Sequence, residues 1–263
     1  MSPGSHRTGL RIVPLIAFLI VGIGCSGTRP GPAAVEPLRI AAAADLQKAL
    51  PRLLETYGDR DGPVAPPTFG ASGDLAEQIR GGAPFDVFLS ADVLLPKALE
   101  GEEHVENGSV DFYARGALVL LVHASAAAEV GSLADLAKPV VRKIAIANPQ
   151  VAPYGKAARE ALEKAGLWDA LGPKIVPAGS VSQALLHVEE GNADAALVSR
   201  SLAAGAASKQ IEIDPALYSP RIQALGVVAR SRQKARAHRF VDFLLGPEAQ
   251  RVLGEHGFTP PKS

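Results

Sequence analysis

The stretch from Phe69 to Asp92, FGASGDLAEQIRGGAPFDVFLSAD, constrains the fold of this chain more than any other. Phe69-Gly70-Ala71-Ser72-Gly73 reads as a strand end followed by a glycine-rich turn. Leu75, Ala76 and Ile79 then mark the apolar face of a helix that begins near Ser72. Phe85 to Ser90 reads as a second, buried strand. Such a strand-turn-helix junction presents unpaired backbone N–H groups and the positive end of a helix dipole at one point, which favours an anion. Gly70, Ala71 and Gly73 leave the backbone open to approach, and Ser72 adds a hydroxyl donor. Every α/β protein has junctions of this kind, so the meaning of this one depends on whether others meet it.

Leu38 to Ala44 reads as a buried strand. A helical period in Leu46, Leu50, Leu53, Leu54 and Tyr57 follows it, with Asp45 placed ahead as an N-cap. Leu94 to Leu99 is a further short helix. Gly116 to His123 and Lys143 to Ala147 are apolar runs of strand length, and Asn148 to Gly155 turns into a helix with Ala158, Ala161, Leu162 and Ala165 on one face. Lys174 to Pro177 leads through Ala178-Gly179-Ser180 into a helix carrying Val181, Ala184, Leu185 and Val188. Ala193 to Val198 and Ile222 to Ala229 complete the strands, and Arg236 to Gly254 closes the chain with a helical pattern. Strands alternating with helices define an α/β protein with mostly parallel sheets. Four strand-to-helix junctions result, before Leu46, at Ser72, at Tyr154-Gly155 and at Ser180-Val181. Two lie in each half of the chain. Ligands of open α/β sheets bind beyond the carboxyl ends of the strands. Two lobes carrying two junctions each can therefore surround a small anion with neutral donors across a cleft.

Lys and Arg together number 27, as do Asp and Glu, so the basic excess of a nucleic-acid-binding chain is missing. His6, His104, His123, His187, His238 and His256 form no pair at metal-ligand spacing. Gly70-Ala71-Ser72-Gly73 breaks the G-x-S-x-G spacing of a nucleophile elbow, which makes Ser72 a donor and not a nucleophile. With no acid, base and nucleophile set, the chain is expected to be neither an enzyme nor a cofactor carrier. Asp86 reads as structural, Asp92 as the cap of the next helix, and Arg200 as a solvated surface residue.

His6, Arg7 and Arg11 precede the apolar run from Ile12 to Gly24, which ends at the single cysteine, Cys25. A basic start, a short apolar stretch and small residues before a cleavage point describe an export signal over residues 1–25. Val21-Gly22-Ile23-Gly24-Cys25 resembles the lipobox of bacterial lipoproteins, with Gly22 where that motif usually carries a bulky aliphatic residue. Cys25 is accordingly read as a lipidation site and membrane anchor, with cleavage without lipidation as the alternative. Residues 26–37 are rich in Pro and Gly and form a tether.

Ala41–Leu46 (AAAADL), Phe69–Ile79, Gly82–Asp92, Ala147–Gly155 (ANPQVAPYG), Gly191–Val198 (GNADAALV) and Leu245–Phe258 resemble, in order and spacing, the molybdate-binding proteins of bacterial ABC importers. The resemblance spans Leu38 to Thr259. It implies an exported, periplasmic or membrane-anchored monomer with the type II periplasmic-binding-protein fold, a two-lobed α/β architecture of two mixed or parallel sheets flanked by helices. One lobe would comprise 38–115 with 224–263, the other 116–223. The implied ligand is molybdate, with tungstate, delivered to an ABC transporter permease. The molybdenum oxyanion would be held by Asp45, at a Ser or Asn position of the family, by Ser72 at a serine position, and by the backbone N–H groups of Tyr154 and Val181. Ala44, Ala71 and Ser199 are further cleft candidates, Ser199 standing where some members place a tyrosine hydroxyl. Asp45 departs from the pattern, because a carboxylate there faces a dianion. Either its side chain turns away to cap its own helix, or it accepts a hydrogen bond from a protonated oxyanion. Phosphate and sulfate therefore remain alternative ligands, and a sensor or enzyme on the same scaffold is the alternative class.

Overall fold

The computed structural model describes residues 36–58 and 60–261. The export signal, Cys25 and the tether up to residue 35 lie outside the described residues. The first stretch runs through β1 (Ile40–Ala43), α1 (Ala49–Tyr57), β2 (Thr68–Gly70), α2 (Ser72–Arg80), β3 (Val87–Ser90), α3 (Leu94–Gly101) and β4 (Asp111–Gly116). The middle supplies β5 (Leu118–Val122), β6 (Ile144–Ala147), α4 (Pro153–Lys164), α5 (Trp168–Leu171) and β7 (Ile175–Ala178). It continues with α6 (Val181–Glu189), β8 (Ala195–Ser199), α7 (Arg200–Ala203) and β9 (Lys209–Glu212). The chain then returns with β10 (Arg221–Val227), α8 (Lys234–Leu245) and α9 (Pro247–Glu255).

These strands form two five-stranded sheets, ordered β2-β1-β3-β10-β4 and β7-β6-β8-β5-β9. Both are mixed. In the first, β1 lies parallel to β2 and β3, and β10 runs antiparallel to β3 and β4. In the second, β6 lies parallel to β7 and β8, and β5 runs antiparallel to β8 and β9. The antiparallel members are those next to the passages between sheets. The chain leaves the first sheet through β4, passes Ala117, and enters the second in β5; it returns through residues 213–220 into β10. Together the two sheets build a two-lobed α/β fold.

The central strands β1, β3, β6 and β8 are buried along their whole length. That is why they read as continuous apolar runs and not as an alternation. Alanine dominates β1, β6 and the start of β8, so helix starts sit close against strand ends. A close backbone approach of this kind is at Gly155, where a Cβ would stand 2.1 Å from the Ala147 carbonyl oxygen. Helix α4 therefore begins pressed onto the end of β6, and Pro153 opens its first turn.

Three details differ from the sequence reading. Asp45 is no N-cap: Ala44–Leu46 forms a separate 3-10 turn, α1 starts only at Ala49, and no side chain caps it. The closing helical pattern is two helices, since Pro247 holds Gly246 in an extended conformation and breaks the run. The strands β4 and β9 had no apolar signature, β9 (KQIE) being mostly exposed. Asp86 and Asp92 are structural, as expected. Asp86 accepts from the Arg39 N–H and Ser231 Oγ, and Asp92 Oδ1 accepts from the Leu95 N–H.

Candidate functional site

The four junctions found in the sequence converge on one enclosed cavity between the two sheets. Asp45, Ser72, Tyr154 and Val181 all line it, as do Ala44 and Ala71. Ser72 is the first residue of α2, Tyr154 the second of α4 and Val181 the first of α6. At such positions the backbone N–H has no partner inside its helix. Two of these helix starts belong to the second sheet and one to the first, so the donors approach from opposite walls. The centre of a water-sized sphere can range over ≈ 10 Å³ inside. That is room for about one water molecule, far too little for a sugar or an amino acid. Among the described residues, the lining contains no Lys, Arg or His.

Contacts across the cleft hold it shut. The Gly73 N–H donates to the Val151 carbonyl at 2.9 Å. Ser201 Oγ donates to the Asp45 carbonyl at 2.9 Å, and Lys48 Nζ reaches the Ala204 carbonyl at 2.7 Å. Around Gly73 the walls touch so closely that a Cβ would meet Val151 O at 2.7 Å.

Ser72 is buried, and its Oγ accepts from the Ala91 N–H at 3.1 Å, which leaves its own O–H free to donate. Asp45 is fully buried, and its side chain is bonded by Gln223 of β10, in its own sheet, instead of capping its own helix. Its Oδ2 accepts from Gln223 Nε2 at 2.5 Å. Burial pushes the carboxyl from its ordinary 3.8 up to about 6, and the Gln223 amide and the nearby Tyr154 hydroxyl restrain that rise. The same burial drives the Tyr154 and Tyr113 hydroxyls well above the ordinary tyrosine range, with the Asp45 charge adding to it.

Ser199 is not brought to the cavity. It caps α7, where its Oγ accepts from the Leu202 N–H at 3.3 Å and lies 3.1 Å from Ser201 Oγ. Arg200 points away and pairs with Glu212. Two buried polar residues behind the cavity were missed in the sequence. Gln223 is fully buried on β10, and Tyr113 on β4 donates to its Oε1 at 2.6 Å. The signal for Gln223 was present: a lone amide inside an apolar strand has to be hydrogen-bonded by design or be costly. Among the described residues, no group of three His, Cys, Asp or Glu side chains is placed to hold a metal ion.

Two mixed sheets closed over a small cavity lined by helix starts make this a solute-binding protein in its architecture. Residues 38–259 match the family described as Bacterial extracellular solute-binding protein, and the chain belongs to that family. The molybdate-binding protein ModA of Rhodobacter capsulatus is 34% identical over 87% of this chain and 90% of its own length. The structure of the Azotobacter vinelandii periplasmic molybdate-binding protein superposes with a TM-score of 0.81 at 32% identity, covering 86% of this chain and all of that one. A Bacillus subtilis chain provisionally named as an ABC transporter substrate-binding lipoprotein is 33% identical over 94% of this chain and 96% of its own length.

Proposed function

We propose that this chain captures molybdate, and tungstate with it, outside the cytoplasmic membrane and delivers it to the permease of an ABC transporter. The observation that carries this reading is the convergence of three helix starts on a closed cavity whose lining holds no cation. A tetrahedral oxyanion offers acceptors in all directions, and helix-start N–H groups with the Ser72 hydroxyl supply neutral donors to match. Neutral donors bind the dianion without fixing a salt bridge, so opening of the cleft can release it to the permease. The identities of 32–34% to molybdate-binding proteins over most of the chain support molybdenum as the cargo. No cofactor and no chemical turnover enter this reading.

The lobes, read from the sequence as 38–115 with 224–263 and 116–223, take their borders from the ends of β4 and β10; they hinge at Ala117 and at 213–220, and the anion draws them together. Cys25, as a lipidated N-terminus, keeps the monomeric binding protein at the membrane surface near its permease. Calorimetric titration with molybdate, tungstate, sulfate and phosphate at neutral pH tests the reading. Tight binding of the first two with sulfate silent is the expected result. Silence from all four would transfer the chain to a sensor or enzyme class on the same scaffold.

Ser72→Ala removes one hydroxyl donor from a dry site, and affinity for molybdate is expected to fall about tenfold. Ser199→Ala is expected to leave affinity within about twofold, since that hydroxyl lies outside the cavity, and to lower stability by about 1 kcal/mol through loss of the α7 cap. The two variants are read side by side by titration and by thermal melting. Equal affinity losses would contradict the placement of the two serines.

A further inference from the structure

Among the described residues, three buried side-chain polar atoms lack a hydrogen-bond partner: Asp45 Oδ1, Glu106 Oε2 and Arg115 Nε. Of these, only Asp45 lines the cavity. The back of its carboxyl group is fixed. Tyr113 donates to Gln223 Oε1 at 2.6 Å, which settles the orientation of the Gln223 amide and turns Nε2 toward Asp45 Oδ2. The same Nε2 also reaches the Tyr154 hydroxyl at 3.3 Å. The carboxyl is therefore clamped from the rear by donors and cannot rotate away to cap a helix. Its second oxygen, Oδ1, is buried without a hydrogen-bond partner, in a residue that lines the cavity. An ionised carboxylate only accepts hydrogen bonds, and a dianionic oxyanion likewise only accepts. Two acceptors in a dry site repel unless a proton lies between them.

We propose that this site takes up its oxyanion together with one proton, held between Asp45 Oδ1 and a ligand oxygen, and that Asp45 thereby selects molybdate and tungstate over sulfate. The inference rests on the oxyanion reading above. The proton comes from solvent and no covalent bond between heavy atoms changes: site carboxylate, dianion and proton combine into one complex. Sulfate is the conjugate base of a strong acid and shares a proton poorly. Molybdate and tungstate are more basic and share it well. Hydrogen phosphate brings its own proton and takes up none.

Among the described residues no charged side chain acts on Asp45 from the elements packed against it, Arg200 of α7 being paired with Glu212. The titratable groups facing it are the Tyr113 and Tyr154 hydroxyls, both neutral at physiological pH because burial raises them further. Lys48 spends its ammonium on the Leu202 and Ala204 carbonyls. Arg221 spends its guanidinium on those of Ser219 and Pro153. Burial already brings the Asp45 carboxyl to about 6, and a dianion beside it moves the group further up, into the range where binding above neutral pH must draw a proton in.

The test is titration calorimetry of the full chain with molybdate at pH 7.5 and 8.5 in buffers of low and high ionisation enthalpy. Uptake of about one proton per anion is expected, with affinity falling about tenfold for each pH unit above neutral. Asp45→Asn is expected to abolish the uptake, flatten the pH profile and narrow the preference for molybdate over sulfate by at least about tenfold. Tight molybdate binding by the wild-type chain without proton uptake would overturn the proposal while leaving the oxyanion reading intact. Absence of binding by every anion would sink that reading, and this one with it. The wild-type buffer comparison decides the matter even if the variant does not fold.

Discussion

Gly73→Ala is expected to weaken molybdate binding by about ten- to a hundredfold while leaving the ligand-free chain at least as stable as before. The two effects have different origins. In the closed structure a Cβ at position 73 would stand 2.7 Å from the Val151 carbonyl oxygen and 3.0 Å from its Cα. Both are backbone atoms on the opposite wall, with no flexible side-chain end to give way. Closure would have to stop short, at a cost of about 1–3 kcal/mol by the usual scale of overpacking. The Gly73 N–H to Val151 carbonyl bond, 2.9 Å long, would be strained in the same step. In the open chain none of this applies. Gly73 lies in the first turn of α2 with an ordinary negative φ, and alanine there gains helix propensity and loses chain entropy, worth up to about 1 kcal/mol. Titration and thermal melting on the same preparation separate the two. Retained affinity would show that the bound state does not press these walls together, and a fall in both quantities would indicate a damaged α2 instead.

The cavity was legible in the sequence because its makers are local. A strand end, small residues and a helix start close together identify a junction wherever it occurs; the junctions at Ser72, Tyr154 and Val181 were found by that logic, and their roles as ligands came from the resemblance. Their meeting was not local, and came from the count of two junctions in each half and from the resemblance. The strands that carry the chain between sheets were hard to read for a physical reason. β4 is partly exposed and β9 almost wholly so, hence neither shows the apolar run that revealed β1, β6 and β8. Asp45 was misplaced because a carboxyl ahead of an apolar helical period looks like an N-cap. The 3-10 turn over Ala44–Leu46 postpones the helix to Ala49, and Gln223, 178 residues away, claims the side chain instead. No local pattern encodes a partner at that distance. The one available hint was an amide in the middle of an apolar strand.

The largest pH effect on stability is expected from the same buried carboxyl. Its folded-state value of about 6 lies above the ordinary 3.8 of an unfolded chain, so the folded state holds the proton more tightly. The resulting stabilisation is complete below about pH 4 and is lost as pH rises through about 6, amounting to on the order of 3 kcal/mol for full burial. Carboxylates such as Asp135, held low by Lys138, the Gly131 N–H and Ser132, act in the opposite sense, so the raw pH profile mixes both directions. Comparison with Asp45→Asn removes that mixture, because every other group is common to the two chains. Asparagine keeps an oxygen for Gln223 Nε2 and never ionises. The variant is therefore expected to match the wild type near pH 4 and to exceed it increasingly between pH 5 and 7.5, by up to about 3 kcal/mol. Urea midpoints of the ligand-free proteins across that range measure the difference. Parallel curves would sink the prediction and show that Asp45 is hydrated while the cleft is empty, so that its desolvation is met only when the lobes close on their anion.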